Sequence, residues 1–344
     1  MSDDILFEKR GKAGFATLNR PKALNALNHG MVRELDAQLA RWAEDPDVAH
    51  VVIKGAGEKA FCAGGDIRSI YDARLAGETE GLSAFFGDEY LLNARIKAFP
   101  KPYVSLINGI VMGGGVGVSV HGSHRIGTEK TLFAMPETGI GFFPDVGGTF
   151  FLPRMPKRTG VYCALSAGRM KQGDALATGV LTHTILEASL PDLEVALETA
   201  TDIGAAVAPL LVTAEKGPLS ENADLIENLF SAESVDEILE RLEGSDTDFA
   251  RKTLEAILQK SPTSVLIAFE QMKRGPGLSF NECMKLEYRI VSRILQGDDF
   301  FEGVRAVIVD KDQAPKWTPS RFGQVDRTEL ASYFVEPSDG DLPL

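Results

Sequence analysis

The 344-residue sequence is poor in several things, and each shortage excludes a class of protein. Its three cysteines, Cys62, Cys163 and Cys283, are odd in number and widely spaced, with no C-x-x-C pair and no Cys/His spacing suited to zinc. A disulfide scaffold is therefore excluded, and a reducing compartment is what such usage permits. No run of 18 or more apolar residues occurs, and the N-terminal MSDDILFEKR opens on acids rather than on a basic segment followed by an apolar one. The sequence thus offers no argument for membrane insertion, export or organelle import, and the expectation is a cytoplasmic protein without a membrane partner. Basic residues are scarce as well: 36 Lys and Arg stand against 49 Asp and Glu, a net charge of −13, with no block of three or more consecutive Lys or Arg. Nucleic acid is excluded as a main partner on that ground. G-x-G-x-x-G, the P-loop, H-E-x-x-H and G-x-S-x-G are all missing, and Gly117-Val-Ser119-Val-His121 lacks the last glycine of the fourth.

What is present is a foldable chain, 44% hydrophobic and 25% charged, long enough for one large domain or a core with a smaller partner. Residues 5–9 and 13–18 alternate around Gly11 as a hairpin does. Val32, Leu35, Leu39 and Trp42 recur at helical spacing, and Val51-Val52-Ile53 reads as a short buried strand. A helix near 84–98, a strand over Tyr103–Ile107, a short helix opened by Gly113-Gly114-Gly115, and strands at 123–128 and 131–134 follow. This order predicts an α/β layered core. From about residue 190 glycine thins out and helical patterning takes over. Ser234…Glu237 and Ser279…Glu282 have the capping-box form, and Ser261-Pro262 puts proline at a first helical position. Residues 212–224 and 243–248 read as loops, and the polar tail beyond Pro337 is expected to fray.

Three segments could carry chemistry. Phe61-Cys62-Ala63-Gly64-Gly65-Asp66-Ile67-Arg68 and Asn108-Gly109-Ile110-Val111-Met112-Gly113-Gly114-Gly115 share the order strand, glycines, helix. Bare backbone at a helix start leaves unpaired N–H groups, and two such turns can aim two donors at one oxygen. Tight turns and close packing explain the same glycines. In Met135-Pro136-Glu137-Thr138-Gly139 through Pro144-Asp145-Val146-Gly147-Gly148, two carboxylates stand in apolar and glycine-rich surroundings. Desolvation there would raise their pKa values and suit acid–base or nucleophilic work; both residues as helix caps is the alternative. Cys62, His121 and His124 read as structural, since no triad-like relation links them.

Together with Leu18-Asn-Arg-Pro-Lys-Ala-Leu-Asn-Ala-Leu27 and the stretch from Asp298 to Pro319, these segments resemble the crotonase (enoyl-CoA hydratase/isomerase) superfamily and, within it, the 3-hydroxyisobutyryl-CoA hydrolase branch. The resemblance implies a crotonase-like β-β-α spiral core over residues 1–210 and a mainly helical C-terminal region over 211–344. It implies backbone N–H donors at Gly65 and Gly114, and contacts to a CoA ester from Asp66, Ile67, Arg68 and Lys22. Hydratases of the family resemble one another in a Glu just after the triple glycine and a second in the later Pro-Glu segment; here the first position is Gly117. The hydrolase branch pairs the Pro-Glu residue with an Asp in Phe-Pro-Asp-Val-Gly-Gly, matched by Glu137 and Asp145, and adds a substrate contact matched by Glu89. The implied activity is hydrolysis of a 3-hydroxyacyl-CoA thioester, as in valine breakdown, with no metal and no cofactor beyond the CoA of the substrate. Hydration or isomerisation of an enoyl-CoA, and acyl-CoA binding without turnover, are the alternatives. Family members are often trimers or hexamers, so the resemblance leaves a homo-oligomer open.

Overall fold

A computed structural model describes residues 3–78 and 81–344. The chain forms two compact units that interleave in sequence. The first comprises Met1–Gly65, Leu91–Phe133 and Met170–Glu221; the second comprises Asp66–Tyr90, Ala134–Arg169 and Asn222–Leu344. The expected spiral core over 1–210 and helical region over 211–344 divide the chain linearly, which is a different kind of division.

In the first unit, Ile5–Arg10 (β1) and Ala13–Leu18 (β2) form the antiparallel hairpin that the alternation predicts. The strands that follow are His50–Gly55 (β3), Ala60–Cys62 (β4), Tyr103–Ile107 (β5), Ile110–Met112 (β6), His124–Gly127 (β7), Leu132–Ala134 (β8), Arg169–Lys171 (β9) and His183–Thr184 (β10). They distribute into a six-stranded sheet of order β1-β2-β3-β5-β7-β10 and a four-stranded sheet of order β4-β6-β8-β9. From β3 to β8 successive strands go alternately to one sheet and the other, so each turn of chain adds a strand to both. That alternation is the spiral. Beyond the hairpin, the pairings of β2 with β3, β3 with β5, β5 with β7 and β7 with β10 are parallel. A parallel strand is covered on both faces and reads as near-continuous apolar sequence, as the fully buried Tyr103–Ile107 does apart from Ser105.

The core of this unit lies where the large sheet meets helices. Ala13, Phe15, Val52, Val104, Leu106 and Ile126 pack with Leu193 and Leu197 of helix Leu190–Thr199 and with Ile203 and Val207 of helix Ile203–Val207. Helix His29–Glu44 buries Met31, Val32, Leu35, Leu39 and Trp42, one stripe at helical spacing. Its start is set by Asn28, whose side chain accepts the Met31 N–H at 2.9 Å.

The second unit is mainly helical. Helix Pro262–Arg274 begins with proline in its first turn, and its cap Ser261 accepts from Ser264 N–H. Helix Phe280–Ile294 carries the complete capping box between Ser279 and Glu282. The other box is half made: Ser234 caps helix Val235–Glu243, but the Glu237 carboxylate accepts from Glu233 N–H rather than from Ser234. Two expectations need correction. The loop expected over 212–224 already turns helical at Pro218–Glu221, because the buried Asp174 carboxylate accepts from Leu219 and Ser220 N–H and organises that start. The tail beyond Pro337 is tied down, with Asp341 paired to Arg289 and Leu342 buried.

Candidate active site

Two groups of residues correspond to the segments that the sequence singles out. In the first unit, β4 and β6 run parallel and adjacent, Ala60 opposite Ile110 and Cys62 opposite Val111. Parallel neighbours end on the same side, so the turns that follow them, Ala63-Gly64-Gly65 and Gly113-Gly114-Gly115, come out together. Gly64 has φ +121° and Gly113 φ +47°, conformations that leave no room for a β-carbon without strain. A β-carbon on Gly115 would overlap the carbonyl oxygen of Cys62, and one on Gly64 would touch the Met112 carbonyl oxygen at 3.7 Å. Among the described residues no backbone carbonyl takes the N–H of Gly65 or Gly114. The close approach therefore delivers two unpaired donors, each just after a positive-φ glycine. Cys62 fills space, fully buried, with its thiol facing the Gly64 carbonyl at 3.5 Å.

The second group lies in the second unit and is a nest of buried acids. Glu137 opens the 3-10 turn Glu137–Ile140; Asp145 sits in the loop that enters helix Gly148–Phe151; Glu89 projects from helix Leu82–Lys97 and Glu287 from helix Phe280–Ile294. Their exposures are 5%, 4%, 2% and 0%. Each is held differently. Tyr90 Oη donates to Asp145 Oδ2 at 2.9 Å. Glu287 accepts the N–H of Gly147 at 2.8 Å and of Thr149 at 2.9 Å. Glu137 Oε2 and Glu89 Oε1 are buried with no hydrogen-bond partner among the described residues. An unpaired buried carboxylate oxygen is expensive, so these two atoms are where a ligand or water is wanted.

Burial dominates the acidity of the group. It pushes Asp145 up to about 7, against the pull of the Tyr90 hydroxyl. It pushes Glu287 up to about 8, opposed by the Gly147 N–H and reinforced by the charge of Asp145. Glu137 and Glu89 are raised well above the usual carboxylate range, first by burial and then by Asp145. Carboxyl groups crowded in a dry site cannot all ionise, so protons are shared within the nest near neutral pH. Such a site can give and take a proton. The same unit holds a ring cluster: Phe86 stacks on Phe142 at 5.3 Å, and Phe142 lies 4.7 Å from Phe143 and 4.9 Å from Phe300.

Asp66 is the residue before helix Ile67–Leu75, Arg68 is exposed and pairs with Asp72 at 3.5 Å, and Lys22 lies exposed in the 3-10 turn Pro21–Ala23. His124 stacks on His183 with centroids 5.9 Å apart and is held below its usual pKa by burial, as a packed histidine would be. Among the described residues no group of three or more His, Cys, Asp or Glu could hold a metal, and no helix is long and apolar enough to cross a membrane. Tyr90, Gln271 and Glu287 join the site without having stood out in the sequence. A signal exists for one of them: Glu287 shares the buried stripe of Phe280, Cys283, Met284, Ile290, Val291 and Ile294, where an acid is out of place.

The enoyl-CoA hydratase/isomerase family model matches residues 13–334, and the chain belongs to that family, with its crotonase fold. More particularly, it is 48% identical to the mitochondrial 3-hydroxyisobutyryl-CoA hydrolase of Danio rerio, over 99% of this chain and 92% of that one. It is 44% identical to the enzyme of the same name from Homo sapiens, over 99% and 91%. Among solved structures it resembles one titled an enoyl-CoA hydratase from Rhodobacter sphaeroides 2.4.1, with 42% identity, TM-score 0.93 and coverage of 99% and 100%. It also resembles a carnitinyl-CoA dehydratase from Mycobacterium thermoresistibile, with 38% identity, TM-score 0.94 and coverage of 99% and 98%. The curated relatives are named mitochondrial enzymes, and this overturns the cytoplasmic expectation. Unpaired thiols and an acidic composition fit any reducing compartment, so they carry no power to choose among them.

Proposed function

We propose that the protein hydrolyses 3-hydroxyisobutyryl-CoA, or a close 3-hydroxyacyl-CoA, to the free hydroxy acid and CoA, the thioester-cleaving step of valine breakdown. One observation carries the reading. Glu137 and Asp145 belong to a single buried acid nest, whereas the position after the triple glycine, where a hydratase would hold its other proton-handling Glu, is Gly117. The names of the curated relatives support the same reaction.

In this reading, backbone N–H groups of Gly65 and Gly114 form the oxyanion hole and stabilise charge on the thioester oxygen as the tetrahedral intermediate forms. Glu137, whose Oε2 has no hydrogen-bond partner among the described residues, attacks the carbonyl carbon to give an anhydride that water then opens, or takes a proton from the attacking water. Asp145, held by Tyr90, orients the water or the substrate hydroxyl and returns a proton as the CoA thiolate departs. Glu89, with its own unpaired oxygen, contacts the acyl group, and Asp66, Ile67, Arg68 and Lys22 contact the CoA moiety. The reaction calls for no metal and no cofactor apart from substrate CoA.

The two solved structures titled as a hydratase and a dehydratase favour a second reading, water addition to or loss from an enoyl-CoA pair. Free-thiol release from 3-hydroxyisobutyryl-CoA, assayed beside loss of enoyl absorbance from crotonyl-CoA, separates the two. Fast thiol release with negligible hydration is the expected result. Fast hydration without thiol release overturns the proposal.

A further inference from the structure

Asp145 sits in a loop whose backbone is strained. The loop that carries it has Val146 at φ +49° and Gly147 at φ +90°, a conformation that an isolated β-branched residue avoids. What imposes it arrives from far along the chain. The carboxylate of Glu287, 140 residues away, accepts the N–H groups of Gly147 and Thr149 at once, with Oε2 on the first and Oε1 on the second. Gln271 adds a second brace, its Nε2 donating to the Pro144 carbonyl at 3.1 Å and to Thr149 Oγ1 at 2.8 Å. Glu287, Gln271 and Thr149 are all fully buried. Asp145 is thus flanked by anchored backbone on both sides, at Pro144 and at Gly147.

We propose that Glu287 is the positioning residue of the acid–base site: its carboxyl group bridges the Gly147 and Thr149 N–H groups and clamps the loop that presents Asp145. The inference rests on the hydrolase reading and assigns to that site a residue with no role in the motifs that define it. The two backbone N–H bonds favour the ionised form of Glu287 and oppose the burial that pushes it up to about 8. Where Glu287 is ionised, its charge disfavours ionisation of Glu137. The titratable groups around it are Asp145, Glu137, Glu89 and Tyr90, together with Cys283 on its own helix, where Arg154 also acts on the thiol. The Glu137 carboxyl is raised by the Glu287 charge, after burial and Asp145, which gives the clamp a measurable signature.

The test compares Glu287→Gln, Glu287→Asp and Glu137→Gln in the full-length protein, with kcat and KM for 3-hydroxyisobutyryl-CoA measured across pH 5 to 9. Glu287→Gln keeps the volume but offers an acceptor to only one N–H and carries no charge. A fall in kcat of about tenfold or more, KM within threefold, and the rising limb of the pH profile moved toward acid are expected. A loss of stability alone would lower the active fraction without moving that limb. Glu287→Asp keeps the charge and should fall between parent and Gln in kcat with the limb in place. If Glu287→Gln folds, with kcat within twofold and an unmoved limb, while Glu137→Gln is inactive, the positioning role is overturned and the hydrolase reading stands. If Glu137→Gln is active, the reading itself has failed. Should Glu287→Gln not fold, Glu287→Asp decides: kcat and KM equal to the parent's overturn the inference, and a tenfold loss in kcat at unchanged KM upholds it.

Discussion

Two pairs of turns in this molecule are built on different physics. The glycine turns after β4 and β6 are specified by contact, since a single β-carbon at Gly115 would overlap the Cys62 carbonyl. The acid turns at Glu137–Ile140 and around Asp145 are specified by charge, with each carboxyl moved from its usual pKa by burial and by its neighbours. A contact-built turn should respond to size and ignore pH. A charge-built turn should tolerate isosteres in its shape and fail in its chemistry.

The largest effect expected from that contrast is on rate. Glu137→Gln changes no volume, yet kcat should fall by roughly 10²- to 10⁴-fold or more, with the affinity for a non-hydrolysable CoA ester within threefold, read by calorimetry. Retained turnover would dissolve the distinction between the two pairs. Next comes Gly115→Val, which should destabilise the fold by about 3 kcal/mol or more, equally at pH 5 and pH 8 in urea denaturation. A pH-dependent loss would mean that the glycine turns, too, are electrostatic.

A smaller effect concerns stability against pH. The Asp145 carboxyl, at about 7 in the folded state against 3.8 for a free side chain, keeps its proton where the unfolded chain has released it. The folded state then binds more protons between roughly pH 4 and 7, so stability falls as pH rises through that window and levels off above it. Asp145→Asn should leave stability unchanged near pH 4 and raise it by about 1–3 kcal/mol at pH 8, read by the same urea titration. A variant less stable at pH 8 would show that the acid stabilises the fold rather than straining it. The smallest effect lies outside both pairs of turns: Ser279→Ala, which breaks a complete capping box, should cost about 1 kcal/mol, and Ser234→Ala, at the half-made one, less. Equal losses would show that the reciprocal Glu282 bond adds nothing.

Much of the fold is legible in the chain itself. The β1–β2 hairpin, the buried stripe of helix His29–Glu44 and the proline start of helix Pro262–Arg274 follow from short-range pattern, because a period of two or of 3.6 residues is written into neighbours in the chain. The tail misleads for the complementary reason: its polar residues look free, but Asp341 finds Arg289, a partner 52 residues away that local composition does not announce.

The same boundary runs through the candidate site. Sequence alone determined the glycine turns and the residues Glu137 and Asp145, since a bare backbone at a strand end and an acid among apolar neighbours are local features. Only the tertiary structure decided that Tyr90 and Glu287 would join those acids, that Glu287 would span 140 residues to hold the Asp145 loop, and that burial would raise the carboxyl groups of Glu89, Asp145 and Glu287. Desolvation and charge coupling depend on what surrounds a group in space, and those surroundings are assembled from helices that lie far apart in the chain.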